Sequence, residues 1–151
     1  MCKGVITSTS NAQTNVDQGT RVPAPAVPPE CTLPDGRKSA FSARRLTPTT
    51  FLIVEVDDEF YEHPFIYAKR VPAARTLVLL DTGCGGRPRR PDVELTNLRE
   101  FIETAPVAGA GDDGAGSAPL NPGGALAYVV VLSHCHFDHI RESRVGQTAG
   151  P

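Results

Sequence analysis

The chain has 151 residues and a formal net charge of −2, with 40% hydrophobic and 21% charged residues. This length and composition fit one small globular domain, and the near-neutral charge gives no electrostatic basis for binding nucleic acid or an acidic membrane surface. No apolar run approaches the ~18 residues of a membrane-spanning helix, and residues 1–13 lack a signal-peptide core, so we expect a cytoplasmic protein without nucleic-acid or membrane partners.

Three regions are predicted along the chain. Residues 1–38 are rich in Ser, Thr, Pro and Ala and predict a disordered leader, because they bury too little apolar surface to offset their ordering entropy. A folded domain is predicted over residues 39–140, with order beginning near Phe41. Residues 141–151 are short, polar and without pattern, and predict a disordered tail.

The sequence pattern of the folded region predicts a mixed α/β (α+β) domain. Segments 41–46, 50–56, 64–70 and 75–81 are β-prone and separated by turn residues, which predicts an antiparallel meander. The run 77–80, "LVLL", predicts a strand covered on both faces. The segment 125–132, "ALAYVVVL", follows a helix and is expected to join the sheet in parallel.

A single helix is predicted between the meander and the last strand. Residues 92–105 have apolar side chains at helical spacing, and Asp92 is the expected N-cap. The apolar face consists of Leu95, Leu98, Phe101 and Ile102. Residues 106–124 are rich in Gly and Ala and predict an irregular loop.

The side chains best suited to bind metal or catalyse a reaction are clustered in residues 129–140, "VVVLSHCHFDHI". Side chains two residues apart on an extended chain point the same way, so His134 and His136 can present two imidazoles to one ion. Asp138 and His139 follow the turn and are directed to a neighbouring position. Imidazole and carboxylate donors suit zinc, and iron or manganese would also be accommodated.

This cluster resembles the HxHxDH signature of the metallo-β-lactamase superfamily, and "LLDTGCGG" at residues 79–86 resembles the family's aspartate after an early strand. The resemblance covers roughly residues 41–140. It implies the N-terminal half of an αββα sandwich, mainly one mixed sheet with one helix. It also implies two zinc ions per complete domain and a small-molecule substrate that carries an ester, amide, lactone or thioester.

The resemblance also implies residue roles. His134 and His136 would bind the first metal, and Asp138 and His139 the second. Asp138 would also transfer protons as a catalytic residue, and Asp81 would accept a hydrogen bond that orients a ligand histidine.

The remaining ligands of the family are expected downstream, but no histidine follows His139 and no aspartate follows Asp138. A catalytic zinc takes three protein ligands plus water, whereas each implied site has two here. We therefore expect a truncated domain that is weakly active or inactive. His63 is interpreted as an ordinary polar or capping residue, and Cys135 as a buried residue that does not bind metal.

Two alternatives remain open. The chain could be a non-catalytic fragment with at most weak metal binding. It could also be a dimeric aspartic protease built on Asp81-Thr82-Gly83, although that mechanism needs two carboxylates and leaves the histidines unexplained. Because a truncated sandwich would leave its sheet without a partner layer, we also expect self-association through the uncovered sheet.

Overall fold

The computed structural model describes residues 30–111 and 115–141. Residues 1–29 of the predicted leader (1–38) and residues 142–151 of the predicted tail (141–151) lie outside this part of the chain. The described residues form a mixed α/β fold dominated by strands. Within these residues, no helix has the length and apolar character needed to cross a membrane.

Eleven strands and helices follow one another along the described chain. They are β1 Lys38–Ser39, β2 Phe41–Thr47, β3 Thr50–Glu55, β4 Phe65–Val71, β5 Thr76–Leu80, β6 Val93–Leu95, α1 Leu98–Thr104, β7 Val107–Ala108, β8 Ser117–Ala118, β9 Ala127–Val131 and α2 Phe137–Ile140. Short 3₁₀ turns lie at Pro72–Ala74 and Pro122–Gly124.

The main sheet has five strands in the order β2-β3-β4-β5-β9. The predicted meander is confirmed, since β2 to β5 pair antiparallel with their neighbours. The predicted parallel strand is also confirmed: β9 pairs with β5, and Leu80 lies opposite Val131. A parallel pair needs a long crossover connection, and the chain between β5 and β9 supplies it.

One face of this sheet carries the hydrophobic core. Phe51, Ile53, Ile66, Leu77 and Leu79 are at most 1% exposed and alternate along their strands, as the period of two in a strand requires. The helix α1 covers this face with the buried side chains Leu98, Phe101 and Ile102.

The predicted N-terminus of the helix is wrong. Helix α1 begins at Leu98, and Asn97 caps it by accepting a 2.9 Å hydrogen bond from the Glu100 N–H. Asp92 instead pairs with Lys38. Residues 93–95 alternate between buried and exposed, and this period of two favours a strand; β6 pairs in parallel with β1.

Ordered structure also begins earlier than the expected start at Phe41. Leu33 is buried in the core, and Thr32 forms an isolated bridge with Lys38. The loop predicted at residues 106–124 contains the small β7–β8 hairpin. The Arg70 guanidinium fixes this segment by donating hydrogen bonds to the carbonyl oxygens of Ala110, Pro119 and Leu120 at 2.7–2.8 Å.

The second face of the sheet is only partly covered, so the expectation that β5 is covered on both sides is wrong. On this face Leu52 is buried, but Tyr67, Leu80 and Val131 are 39%, 37% and 46% exposed. The strand register places these four side chains in one row across β3, β4, β5 and β9. With Val129, the three exposed residues form an apolar surface, called here the open face.

We predict that the open face binds hydrophobic dyes and drives concentration-dependent association. The double substitution Val129→Thr and Val131→Thr keeps β-branched side chains, so the free energy of unfolding should change by no more than about 0.5 kcal/mol per site. Dye fluorescence and the apparent mass from analytical ultracentrifugation should both fall.

The matched control is Val130→Thr, which lies on the core side of the same strand. It should destabilise the protein without removing apolar surface from the open face. A wild-type chain that is monomeric at all concentrations and binds no dye would contradict the prediction.

Candidate metal centre

The candidate site lies where β5 and β9 leave the sheet. Because the two strands are parallel, their carboxyl ends meet at the same edge, and residues 81–86 lie beside residues 132–141. The Asp81 N–H donates to the Val131 carbonyl at 2.8 Å, and the Thr82 N–H donates to the His139 carbonyl at 2.8 Å. These main-chain bonds hold the aspartate loop against the histidine segment.

The backbone of residues 81–85 bends sharply. Asp81 has a φ of 65°, in the left-handed region that aspartate tolerates better than most residues. Gly83 has a φ of 83°, and a Cβ at this position would lie 2.5 Å from Glu55 Oε2. The buried Glu55 carboxylate accepts a hydrogen bond from the Cys84 N–H at 2.7 Å. The loop can approach this carboxylate only because residue 83 is glycine.

Asp81 connects the two loops through its side chain. Oδ1 accepts from the Ser133 N–H at 2.7 Å, and Oδ2 accepts from Ser133 Oγ at 2.7 Å. Oδ2 also lies 2.8 Å from His139 Nδ1. Burial raises the pKa of the Asp81 carboxyl, but the hydrogen bonds from Ser133 and His139 outweigh it, so the pKa lies below its ordinary value.

His134 and His136 lie side by side, as their spacing predicts. His134 Nε2 is 3.0 Å from His136 Nδ1, and the ring centroids are 4.5 Å apart. His134 Nδ1 lies 2.8 Å from Ser133 Oγ. Both rings are exposed to solvent.

His139 lies between two carboxylates. Its Nδ1 faces Asp81, and its Nε2 is 2.9 Å from Asp138 Oδ2. The ring centroid of His139 is 4.1 Å from that of His134. His139 Nε2 therefore faces a carboxylate across the position that a metal ion shared with Asp138 would occupy.

The donor atoms suit zinc in type and spacing, but only in pairs. Two ligands at about 2.0–2.1 Å in tetrahedral geometry lie about 3.3 Å apart. The His134–His136 gap of 3.0 Å needs only a small opening to reach that separation. Across residues 30–111 and 115–141, no group of three or more His, Cys, Asp or Glu side chains is arranged to hold a metal ion.

The structure brings together all five predicted site residues: Asp81, His134, His136, Asp138 and His139. Sequence reasoning missed Ser133, whose hydroxyl joins Asp81 to His134. Its position directly before the first histidine, at a strand end, is the signal that could have identified it.

His63 is outside the cluster, in the loop between β3 and β4. The main-chain N–H of His63 donates to Asp58 Oδ2 at 2.9 Å, and the ring Nδ1 is 3.4 Å from the Glu55 carbonyl oxygen. These contacts fit the ordinary polar role expected from the sequence.

The cysteines differ from each other in environment. Cys135 is exposed, so its predicted burial is wrong; β9 ends at Val131, and residue 135 belongs to an irregular segment past the sheet. Cys84 is buried, and burial together with the carboxylates of Glu55 and Asp58 raises the pKa of its thiol to about 12. A thiol held protonated in this way is poorly suited to bind metal at neutral pH.

The chain is 47% identical over 102 residues to a protein of Aspergillus versicolor named "Putative transcription factor avaE". The match covers 68% of this chain and 28% of that relative, so the chain spans less than a third of the relative's length. No protein-family model matches the chain, and no solved structure matches it at a significant level. These results name neither a reaction nor a metal.

We predict that Asp81→Asn lowers the free energy of unfolding at pH 7 by about 1.5–3 kcal/mol, the contribution of hydrogen bonds to a charged group. Asparagine keeps the tolerance for the left-handed backbone, so the loss reports the charge together with the Oδ2 acceptor for Ser133 and His139, which asparagine replaces with an amide donor. Because the pKa of Asp81 is lowered in the folded state, the unfolded state binds more protons. The stabilisation is therefore complete above about pH 4 and is lost as the pH falls through the folded pKa.

Urea denaturation between pH 7 and pH 3 measures this difference, and the variant should lack that part of the acid-induced loss. Asp92→Asn is the matched control, because the pKa of Asp92 is also lowered but its carboxylate is at the surface. We expect Asp92→Asn to change the profile little. Equal profiles for wild type and Asp81→Asn would contradict the assigned role.

Proposed function

We propose that residues 39–140 are the N-terminal part of a metallo-β-lactamase-like, zinc-dependent hydrolase domain that acts on a small-molecule ester, amide, lactone or thioester. We also propose that this chain alone binds zinc weakly and is weakly active or inactive. We further propose that these residues form one half of an αββα sandwich.

The observation that carries the proposal is the arrangement of donors at the carboxyl ends of β5 and β9. His134 Nε2 and His136 Nδ1 converge to 3.0 Å, and His139 Nε2 lies 2.9 Å from Asp138 Oδ2. A solvated loop gives histidines no reason to converge in pairs beside an aspartate that also binds one of them.

The proposed roles follow from these contacts. Zinc, when bound, lowers the pKa of a water molecule to about 7 and supplies hydroxide for attack on a carbonyl carbon. His134 and His136 would hold one ion, and Asp138 and His139 the other. Asp138 would also accept and return a proton, and Asp81 fixes the His139 ring by accepting from Nδ1, as histidine ligands commonly require.

The weakness of the proposed site follows from the number of donors. Each pair is one ligand short of the three that a catalytic zinc takes. His134 and His136 are also exposed, so water competes with them for the ion. Iron or manganese would face the same shortage.

Two other functions receive less support. The name of the Aspergillus versicolor relative suggests transcription, but this chain spans 28% of that protein, and its net charge of −2 offers no attraction to phosphates. The aspartic-protease alternative needs a carboxylate free to share a proton with a partner carboxylate, whereas Asp81 already accepts from Ser133 and His139. We also propose a cytoplasmic location for the protein.

We predict that the purified chain retains less than one equivalent of zinc after dialysis, as measured by elemental analysis. Weak binding should be detectable by calorimetric titration at higher zinc concentration. His134→Ala and His136→Ala should each lower the affinity by at least about tenfold, since even residues that only orient a ligand contribute 10–100-fold.

The matched control is His63→Ala, which removes an imidazole outside the cluster and should leave zinc affinity unchanged. Two zinc ions retained per chain, or equal loss of binding in all three variants, would contradict the assignment of His134 and His136.

We predict no metal-dependent hydrolysis of lactam, lactone or thioester substrates above background by this chain. The physical reason is the shortage of ligands that would hold an ion in an attacking geometry. The measurement is the rate with added zinc, with and without a chelator. Chelator-sensitive turnover that Asp138→Asn abolishes would show that two donors per ion are sufficient.

A further inference from the structure

The hydroxyl of Ser133 occupies a position between the carboxylate of Asp81 and the ring of His134. Ser133 Oγ is 2.7 Å from Asp81 Oδ2 and 2.8 Å from His134 Nδ1. The Ser133 N–H also donates to Asp81 Oδ1 at 2.7 Å. The aspartate therefore binds both the main chain and the side chain of Ser133, which fixes the direction of the hydroxyl.

The direction of the protons follows from the chemistry of the three groups. An ionised carboxylate only accepts hydrogen bonds, and a serine hydroxyl has one proton to donate. Ser133 Oγ–H therefore donates its hydrogen bond to Asp81 Oδ2. The Ser133 oxygen is then left to accept a hydrogen bond from His134 Nδ1–H. The reverse direction would place two acceptors face to face at 2.7 Å.

From this chain of contacts we infer that Ser133 is a positioning residue that sets the tautomer of His134. With the proton on Nδ1, the lone pair of His134 is on Nε2, the atom that faces His136 Nδ1. Asp81 acts on His139 in the same way but directly, through Nδ1. The Asp81 carboxylate thus sets the tautomers of two histidines, one from each proposed metal position. It acts on His139 directly and on His134 through the hydroxyl of Ser133.

The consequence for metal binding rests on the proposed function, whereas the tautomer does not. A histidine binds a metal through a nitrogen that carries a lone pair. Ser133 would favour zinc binding at His134 by holding that lone pair on Nε2 before the ion arrives. In the metal-free protein, the same lone pair accepts from His136 Nδ1–H, so His136 should also carry its proton on Nδ1.

The test is the pattern of two-dimensional ¹H–¹⁵N correlations from the imidazoles of the metal-free, ¹⁵N-histidine-labelled chain. A pH near 8 keeps unperturbed imidazoles neutral, since their ordinary pKa is about 6.5. Signals are assigned with single His→Ala variants. We expect wild-type His134 to be protonated on Nδ1. In Ser133→Ala, His134 should move toward the Nε2-protonated form, and Ser133→Thr, which retains the hydroxyl, should restore the wild-type pattern.

His139 provides an internal control, because its bond to Asp81 does not pass through Ser133. Its signals should be unchanged in Ser133→Ala. Wild-type His134 protonated on Nε2, an unchanged His134 in Ser133→Ala, or equal changes at His134 and His139 would each overturn the inference.

A zinc titration of the same proteins separates this inference from the proposed function. Zinc affinity should fall by about 10–100-fold in Ser133→Ala and return in Ser133→Thr. If the wild-type chain bound no zinc while the tautomer pattern held, the proposed function would fail and the role of Ser133 would stand. If zinc bound equally well to wild type and Ser133→Ala and the His134 tautomer were also unchanged, the positioning role would be refuted and the metal centre retained.

Discussion

The parallel hydrogen bonding between β5 and β9 determines where every candidate ligand lies. Leu80 is opposite Val131, so the residues that follow both strands emerge at one edge of the sheet. An antiparallel pairing would place the ends of these strands at opposite edges, with Asp81 and His139 separated by the length of a strand. The contact between Asp81 and Ser133 exists only because this register brings the two strand ends together.

Buried carboxylates then fix the loops that leave this edge. Glu55, Asp58 and Asp81 are at most 5% exposed, and each accepts hydrogen bonds from main-chain N–H groups. Burying a charge is costly unless it is hydrogen-bonded, and main-chain donors held in loops meet that requirement. The same bonds restrict the loops to one conformation, which keeps Asp81 within reach of both Ser133 and His139.

Local patterns in the sequence predicted much of this arrangement. The four meander strands have a period of two and clear turn residues, and the β9 run of valines follows a helix. The five site residues came from ligand chemistry and the family resemblance, and the structure brings them together. The contacts among them support the proposed roles.

The errors came from features that local patterns do not encode. Residues 92–95 have helix-compatible spacing, but their pairing with β1 depends on a distant segment and gives β6 a strand conformation instead. The "LVLL" run is equally apolar on both faces, so the sequence alone cannot show that the Leu80 side lacks a covering layer. Ser133 was missed because its role depends on Asp81, which lies 52 residues away in the chain.

The exposed side chains of β9 are followed along the chain by the exposed histidines. Strand β9 is at the edge of the five-stranded sheet, and Val129 and Val131 are exposed just before His134 and His136. Water screens the electrostatic attraction between a ligand and a metal ion most strongly where both are exposed. An apolar side chain that stays exposed contributes no free energy of burial to folding. His139 differs, since it is partly buried between two carboxylates. A surface that covered both β9 and the segment after it would remove water from the apolar residues and from the histidines together, so folding stability and metal affinity should be coupled through this part of the chain.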